Sequence, residues 1–321
     1  MLTITVDPDD PDRAALQRAA EVLIAGGLVA FPTETVYGLG ALALDPEAVQ
    51  RIFEAKGRPA DDPLIVHVRP HWELDLLFSE VTQQMRDLAA AHWPGPLTIV
   101  GPKQEAVPDV VTAGRPTVAV RAPSHPVAAL LLDLVGVPLA APSANRFSYV
   151  SPTSADHVAA DLGDVIDVLV DAGSTPVGIE STIVSVMGGR LTLLRPGSVE
   201  VVGAVVDGTA PSHSAPGRLD VHYSPDTPTR SLAPGAALPC GGAPGVLIGY
   251  EDSHSPPPGW TFMSLGDRSD TAGVARRLYA ALRAADQAHP DLIVVEFTGL
   301  PGTGAAVDDR IRRAAGSQIS Y

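Results

Sequence analysis

Apolar residues along the first part of the chain recur at two spacings, one helical and one extended. Positions three and four apart are apolar between Asp12 and Gly26, which predicts a first helix capped by the aspartate and ended by the glycine. A second helix is predicted from Asp45, with proline in its first turn, to the residue before Gly57. The uninterrupted apolar run at 28–31 lies between them and predicts a buried strand.

Short apolar runs continue through the rest of the first two hundred residues. Those that predict strands are PLIVHV, PLTIV, TVAVRAP, VPLAAPSAN, DVLVDAG, STIVSV and RLTLLRP. Helical spacing returns at 82–92, 125–135 and 153–161. Several strands follow one another with no helix between them, so we expect a twisted mixed sheet with flanking helices rather than a purely parallel sheet.

A change of composition divides the chain near residue 206. The following stretch is rich in proline, serine and threonine, and its apolar residues have neither helical nor strand-like spacing, which predicts a linker. Beyond it, strand-like GVLIGY and DLIVVEF alternate with helical patterns over 271–288 and from about 305, which predicts a small Rossmann-like α/β domain. The predicted organisation is a main domain at 1–206, a linker or lid at 207–230 and a C-terminal domain at 231–321.

Composition and charge exclude several classes of protein. No apolar run approaches the ~18 residues that a membrane span needs, and the start of the chain is acidic where a signal peptide would be basic, so we expect a cytoplasmic protein with no membrane partner. The single cysteine, Cys240, excludes an internal disulfide and a thiolate zinc site. The net charge of −15, most of it in residues 1–207, argues against strong nonspecific binding of nucleic acid.

Motifs for phosphate loops and for covalent catalysis are absent from the sequence. GLGALA at 38–43 fits a loose dinucleotide-binding pattern, but its first glycine does not directly follow the strand, and we interpret it as a tight turn before the second helix. Neither lysine of the chain, Lys56 or Lys103, precedes a serine or threonine, which excludes a Walker phosphate loop. Neither GxSxG nor a Ser-x-x-Lys pair occurs, so a protein nucleophile is disfavoured.

Four cationic side chains stand where predicted elements end, a common position for ligand binding. Lys56 closes the second helix and continues its apolar face, and Arg58 follows in the next turn, so two cations converge in a way that suits a polyphosphate. Arg121 and Arg195 end apolar strands near prolines. Helix capping and structural ion pairs explain the same residues equally well at this point.

Polar side chains also flank otherwise apolar strands. Ser143 and Asn145 lie in APSAN, and Ser181 and Thr182 lie in GIESTIVSV, where buried hydroxyl and amide groups need partners. His67 ends PLIVHV, and its local pattern fits a satisfied core histidine and a ligand-binding histidine equally. Together with the cations, these residues predict a site for an anionic nucleotide and a small polar substrate.

At these positions the sequence resembles the YrdC family, in the long form with a C-terminal domain, the L-threonylcarbamoyladenylate synthases. The resemblance runs from about residue 10 to 205, and APGRLDVHYSP and GTGAAVDDRIRRAAG resemble the signatures of the long form. The motifs that carry it are FPTETVYGLG, IFEAKGRP, DPLIVHV, WPGPLT, TVAVRAPSHP, APSAN, SPT, GIESTIV and LLRPG. It implies the YrdC-like twisted sheet for the main domain.

The resemblance also implies an activity. An enzyme of this family makes threonylcarbamoyl-AMP and pyrophosphate from L-threonine, bicarbonate and ATP, with Mg²⁺ accompanying the ATP and no permanently bound cofactor. The product would pass to the machinery that transfers the threonylcarbamoyl group to adenosine in transfer RNA, and strong direct binding of transfer RNA is not expected. Two alternatives stay open: a binding module for structured RNA, and a carbamoyl-adenylate synthase that uses another amine.

Matching positions carry the family's site residues over to this sequence. The family's Lys-x-Arg and Ser-x-Asn quartet, expected to bind and polarise the phosphates, corresponds to Lys56, Arg58, Ser143 and Asn145. Further positions expected to contact ATP are Thr117, Ser151, Arg195 and Tyr223. The positions expected to hold threonine are Thr35, His67, Arg121 and Ser181, with Arg121 as the partner of its carboxylate. No metal-ligating residue is expected.

Two further expectations concern Asp62 and the linker. Other members of the family carry asparagine where this sequence has Asp62, and an acid there would repel the nucleotide unless a cation lies near, so Asp62 is not assigned to the site. In the linker, Arg218, His222 and Tyr223 stand among small residues. Resemblance to the long form implies that this segment folds over the ligands as a lid.

Overall fold

The computed structural model describes residues 1–72, 74–206, 222–238, 244–253 and 255–316. They form two α/β units, each built on its own sheet. Arg218 of the predicted linker and Cys240 lie outside the described residues.

Eleven strands form the sheet of the main domain. They are β1 (Leu2–Thr5), β2 (Val29–Pro32), β3 (Tyr37–Leu42), β4 (Ile65–His67), β5 (Leu97–Pro102), β6 (Thr117–Arg121), β7 (Leu139–Ala140), β8 (Val168–Asp171), β9 (Thr182–Met187), β10 (Arg190–Arg195) and β11 (Val205–Val206). Their order is β1-β8-β2-β3-β7-β4-β6-β5-β9-β10-β11. β4 and β6 are parallel, whereas β5 and β6 are antiparallel, so the sheet is mixed as predicted.

Helices cover both faces of this sheet. They are α1 (Arg13–Ile24), α2 (Pro46–Lys56), α3 (Gln83–His92), α4 (Asp109–Thr112), α5 (Pro126–Val135) and α6 (Ala155–Leu162), with a 3₁₀ turn at Leu74–Leu76. Successive side chains of a strand point to opposite faces. Accordingly, Val29 and Phe31 pack in one core cluster with α1 and α5, whereas Ala30 packs in another with α2. The predicted caps are confirmed, since Asp12 and Asp45 each accept backbone hydrogen bonds at the start of a helix.

The interpretation of GLGALA as a tight turn is wrong. Residues 38–42 of this segment belong to β3, which pairs antiparallel with β2. A Cβ atom on Gly40 would lie 2.6 Å from Cε1 of Phe31, so the glycine leaves room for the neighbouring ring. Glycine and alanine have low strand propensity, which hid this strand in the sequence.

The C-terminal domain is a smaller parallel α/β unit, as predicted. Its elements are β12 (Thr229–Leu232), β13 (Gly245–Gly249), β14 (Thr261–Ser264), α7 (Thr271–Gln287), β15 (Leu292–Glu296) and α8 (Thr303–Ala315). The strands pair in parallel in the order β12-β15-β13-β14. β12 begins inside the last two residues of the predicted linker, and neither β12 nor β14 was expected from the sequence.

The two domains share one apolar core. Val36, Val150 and Ile179 of the main domain belong to the same buried cluster as Tyr223 and Tyr279. The main chain comes close to α7 at Gly178, where a Cβ atom would lie 2.4 Å from the Cα atom of Arg276. Gly178 also has a φ of +86°, a conformation that L side chains rarely adopt. The main chain of the first domain therefore packs directly against helix α7 of the C-terminal domain.

Replacing Gly178 with alanine tests this docking. Gly173 is the matched control, because it also has a positive φ, +77°, yet a Cβ atom there meets nothing within 4 Å. Gly173→Ala should lower the free energy of unfolding by roughly 1–2 kcal/mol through backbone strain. Gly178→Ala should lose about 1–3 kcal/mol more through the clash with α7. Chemical denaturation measures both, and equal losses would contradict a tight contact between domains.

Candidate functional site

A cavity lies where β4 and β6 end, beside the junction with the C-terminal domain. It contains about 550 Å³ of space not filled by protein atoms, a volume that includes open solvent. The predicted site residues that line it are Thr35, Arg58, His67, Arg121, Ser143, Ser181, Arg195 and Tyr223. Residues separated by up to 188 positions are thus brought to one cavity, because Thr35 and Tyr223 both contribute to its wall.

The pairing of β4 with β6 places two of these residues side by side. The parallel register sets His67 opposite Arg121 at the ends of the two strands. The Arg121 guanidinium donates to the Thr35 hydroxyl at 2.9 Å and to the main-chain oxygen of Gly95 at 3.3 Å. Three residues predicted to hold threonine therefore form one cluster.

Glu34 joins this cluster and was missed in the sequence. Its carboxylate lies 2.7 Å from Nη2 of Arg121, and both side chains are buried. The sequence held a signal, because Glu34 is an acid inside the same motif as Thr35. Arg121 is therefore a partner in a structural ion pair, which the sequence had left open, and it also lines the cavity.

A second polar cluster lies around Ser181. Its hydroxyl is 2.8 Å from that of Thr98, and Arg195 donates to its main-chain oxygen and to its hydroxyl, each at 3.1 Å. Ser181 precedes β9 directly, and Arg195 ends β10, the antiparallel neighbour of β9. The hairpin formed by β9 and β10 therefore supplies both residues.

The end of α2 supplies Lys56 and Arg58. Nζ of Lys56 donates to the main-chain oxygens of Ser143 at 2.6 Å and Asn145 at 2.5 Å. Burial, with Arg58 nearby, holds the pKa of Lys56 well below its usual value. Lys56 thus lies behind the cavity wall and fixes the segment that carries Ser143.

The sequence did not show whether a cation lies near Asp62, and the structure places Arg58 beside it. Its carboxylate lies 2.9 Å from Nη2 of Arg58, and both side chains are buried. Arg58 also donates to the main-chain oxygen of Pro63 at 2.8 Å. The acid is therefore neutralised by a residue of the predicted site.

Four predicted residues do not line the cavity, namely Lys56, Asn145, Ser151 and Thr117. The Asn145 amide donates to the main-chain oxygens of Arg146 and Tyr149. Ser151 donates to Glu180, which does line the cavity, at 2.6 Å. Thr117 begins β6, about 13 Å along the strand from Arg121. The role of Thr117 in binding ATP stays a prediction.

Glu180 was also missed in the sequence and, unlike Glu34, it lines the cavity. Besides Ser151, it accepts hydrogen bonds from Tyr279 at 2.9 Å and from Arg310 at 2.8 Å, both in the C-terminal domain. Burial alone would raise the pKa of Glu180, but Arg310, Arg195 and these hydrogen bonds together lower it to about 2. The carboxylate is therefore ionised.

Several buried polar atoms of the cavity have no hydrogen-bond partner within the described ranges. They are Nδ1 of His67, Nδ1 of His222 and the hydroxyl of Tyr223. Burial first, and then Arg121 and Arg58 respectively, lower the pKa values of His67 and His222 to about 3, so both rings are neutral. Buried polar groups normally have partners, and these three atoms belong to residues that line the cavity. They are suited to binding a polar ligand.

The arginines do not form an exposed basic patch. Arg58, Arg121 and Arg195 are buried. Arg146 is exposed but pairs with Asp226 at 3.0 Å. The hypothesis of a structured-RNA module needed these four residues in one accessible patch, and the structure does not provide it.

The acids around the cavity are not arranged to hold a metal. Glu34 and Asp62 each pair with an arginine, and Glu180 pairs with Arg310. In the part of the chain that the structure describes, no three histidine, cysteine or acidic side chains form a possible metal site. The described helices also include none that is both long and apolar enough to cross a membrane.

Comparison with protein families finds two family models that match the chain in succession. Residues 21–197 match the family described as "Telomere recombination", which includes the YrdC domain, and residues 194–316 match "Threonylcarbamoyl-AMP synthase, C-terminal domain". The threonylcarbamoyl-AMP synthase of Pyrococcus abyssi is 42% identical, with 94% of each chain covered. That of Bacillus subtilis is 40% identical, covering 98% of this chain and 95% of the relative.

Comparison with solved structures points to the same relatives. A crystal structure of P. abyssi Sua5 complexed with L-threonine superposes with a TM-score of 0.90 at 37% identity and covers 99% of both chains. Escherichia coli YciO covers 64% of this chain at 23% identity with a TM-score of 0.57, a likeness of fold alone. The chain therefore belongs to the threonylcarbamoyl-AMP synthase family, in the form that carries a C-terminal domain.

Proposed function

We propose that this protein is a threonylcarbamoyl-AMP synthase, which joins L-threonine, bicarbonate and ATP and releases pyrophosphate. The observation that carries the proposal is a set of buried polar atoms that have no partner among the described residues and belong to side chains lining one cavity beside buried arginines. Such a cavity suits a small zwitterion next to a polyanion. The P. abyssi relative that was solved with L-threonine supports the amino acid as one substrate.

Threonine binds at the Arg121 end of the cavity. Arg121, already oriented by Thr35 and Glu34, offers a charge-assisted contact to the α-carboxylate. Neutral His67 can both donate to and accept from a hydroxyl, which suits the side chain of threonine. Ser181 supplies a further hydroxyl at the opposite side of the cluster.

ATP binds toward Arg58, Ser143 and Arg195. Arg58 and Arg195 supply positive charge to the phosphates, and Lys56 holds the Ser143 and Asn145 segment in place. Tyr223 offers an aromatic face and a hydroxyl without a partner in the described ranges. Asn145, Ser151 and Thr117 remain proposed contacts for the nucleotide.

The reaction needs no protein nucleophile. The amine of threonine attacks bicarbonate to give a carbamate and water, and a carbamate oxygen then attacks the α-phosphate and displaces pyrophosphate. The chain contributes by holding the carbamate in line with the phosphate and by facing the phosphate oxygens with buried cations. Burial makes those cations more effective than they would be in water.

Mg²⁺ accompanies the ATP in this proposal and is held by the phosphates, because the acids around the cavity already pair with arginines. The product passes to the enzymes that modify adenosine in transfer RNA, which places the reaction in the cytoplasm. The protein itself needs no strong contact with transfer RNA.

His222 and Tyr223 close one side of the cavity. Ser224 donates from its main chain to the Ser148 oxygen at 2.9 Å, which fixes this end of the predicted linker against the main domain. A covered cavity would protect the mixed anhydride from hydrolysis. We therefore assign these two residues to the exclusion of water as well as to binding.

The proposal is tested by pyrophosphate release in the presence of ATP, bicarbonate and single amino acids. Release that depends on threonine, with serine and valine much less active, is the expected result. Release that is independent of the amino acid, or that prefers another amine, would contradict the proposal and favour the carbamoyl-adenylate synthase for another acceptor.

Replacing Arg121 should affect threonine and not ATP. A charge-assisted contact is worth ~1.5–3 kcal/mol, so Arg121→Ala should raise the KM for threonine roughly 10- to 150-fold. Arg69→Ala is the control, since Arg69 also pairs with an acid, Asp133 at 2.8 Å, but does not line the cavity. Steady-state kinetics with each substrate varied separately provides the measurement.

Arg121→Lys separates recognition from folding, because it keeps a positive charge beside Glu34. It should fold like the wild type and still bind threonine poorly, since an ammonium cannot reproduce the planar guanidinium contact. An equal rise of both KM values in Arg121→Ala, or a rise for ATP alone, would be inconsistent with the assignment.

The buried neutral His67 predicts a loss of stability in acid. Its pKa in the folded protein, about 3, lies below the ordinary value of 6.5, so the unfolded chain binds more protons between these two values. The free energy of unfolding should therefore be highest above pH 6.5 and fall as the pH falls, by at most ~1.4 kcal/mol per pH unit for this group.

Denaturation between pH 7 and pH 5 measures this slope above the range in which ordinary carboxylates titrate. His67→Gln should give a shallower slope than the wild type, whereas His71→Gln, on the exposed surface, should leave it unchanged. An identical slope in wild type and His67→Gln would show that His67 charges freely in the folded protein.

A further inference from the structure

The last helix of the chain reaches into the cavity wall through Arg310. This residue is fully buried, and its Nε donates to Oε2 of Glu180 at 2.8 Å. Its guanidinium also lies over the ring of Tyr223, 5.5 Å from the centroid. Glu180 and Tyr223 both line the cavity. One side chain of the C-terminal domain therefore contacts two cavity residues of different parts of the chain.

The same helix anchors the segment that contains Tyr223. The main-chain nitrogen of His222 donates to the oxygen of Arg313 at 3.3 Å, and the Ser224 hydroxyl donates to the oxygen of Ala314 at 3.1 Å. The orientation of Arg310 is in turn fixed by Asp309, which accepts from it at 2.9 Å.

We propose that Arg310 is a positioning residue for ATP, acting through Glu180 and Tyr223. The inference rests on the proposed function and adds a role for the C-terminal domain within it. Arg310 itself does not line the cavity.

Arg310 acts by compensating the charge of Glu180. Glu180 is an ionised carboxylate in the wall of a cavity that is proposed to receive a triphosphate, and an unpaired acid there would repel it. Pairing with Arg310 neutralises that charge and leaves the other carboxylate oxygen to accept from Ser151. Removing the guanidinium would leave a buried charge without its main partner, a strongly unfavourable change.

A second buried ion pair between the domains provides a matched comparison. Arg283 of α7 lies 2.6 Å from Asp161 of the main domain and also donates to the main-chain oxygen of Val150. Neither Arg283 nor Asp161 lines the cavity. If Arg310 only docks the two domains, the loss of either arginine should have the same consequences.

The experiment compares Arg310→Gln with Arg283→Gln in the full chain. We expect both to lower the melting temperature. Arg310→Gln should raise the KM for ATP by about tenfold or more, which corresponds to about 1.4 kcal/mol. It should change the KM for threonine by less than about threefold. Arg283→Gln should change both KM values by less than about threefold. Calorimetry with a non-hydrolysable ATP analogue should show the same contrast without turnover.

Two further variants identify the cause. Glu180→Gln with Arg310→Gln removes both charges and should recover part of the ATP affinity that Arg310→Gln alone has lost. Arg310→Lys keeps the charge and should fold even where Arg310→Gln does not, with a smaller rise of the KM for ATP.

The outcomes are distinct. A wild-type protein without threonine-dependent pyrophosphate release would overturn the proposed function, whereas calorimetry would still test the role of Arg310 in binding ATP. Normal ATP binding by Arg310→Gln, or equal effects of the two arginine variants on both substrates, would overturn the inference. Failure of the double variant to recover any affinity would reject the electrostatic explanation.

Discussion

Burial of charge constrains this site more than any other interaction. A buried guanidinium without a partner is prohibitively costly, so each arginine near the cavity must have an acid or several oxygens close to it. Arg121 pairs with Glu34, Arg58 with Asp62, and Arg310 with Glu180. These pairs hold the cations in fixed positions before any substrate arrives. The chain can therefore carry a net charge of −15 and still present oriented positive groups to anionic substrates.

The same constraint explains how the two domains form one unit. Glu180 sits at the end of the segment that approaches α7 at Gly178, and its carboxylate accepts from both Tyr279 and Arg310. The shared apolar core excludes water from these contacts, which strengthens them. Docking of the C-terminal domain is thus inseparable from the charge state of a cavity residue. A linker that only tethered the domains would not need this arrangement.

Local signals in the sequence were sufficient for most of the fold. The caps at Asp12 and Asp45 and the spacing of apolar residues fixed the first two helices, because those signals depend on neighbours within a few residues. They failed for β3 among other strands, and there Gly40 leaves room for the ring of Phe31 at the expense of strand propensity. The roles of Glu34 and Glu180 depend on arginines far away in the sequence, so no local pattern could reveal them. Resemblance to a family supplied candidate positions but not which cation each acid neutralises.

Lys56 shows how the structure changes the meaning of a predicted residue. Both of its acceptors are main-chain oxygens of the Ser-x-Asn segment, and it stands behind the wall rather than in it. These two hydrogen bonds stabilise the loop, whereas burial holds the pKa of Lys56 well below its usual value, and the proposed function gives the lysine no contact with the phosphates. Arg58, which does line the cavity, can reach them directly. In the proposed function, Lys56 therefore shapes the segment and Arg58 is the residue of the pair that contacts the nucleotide.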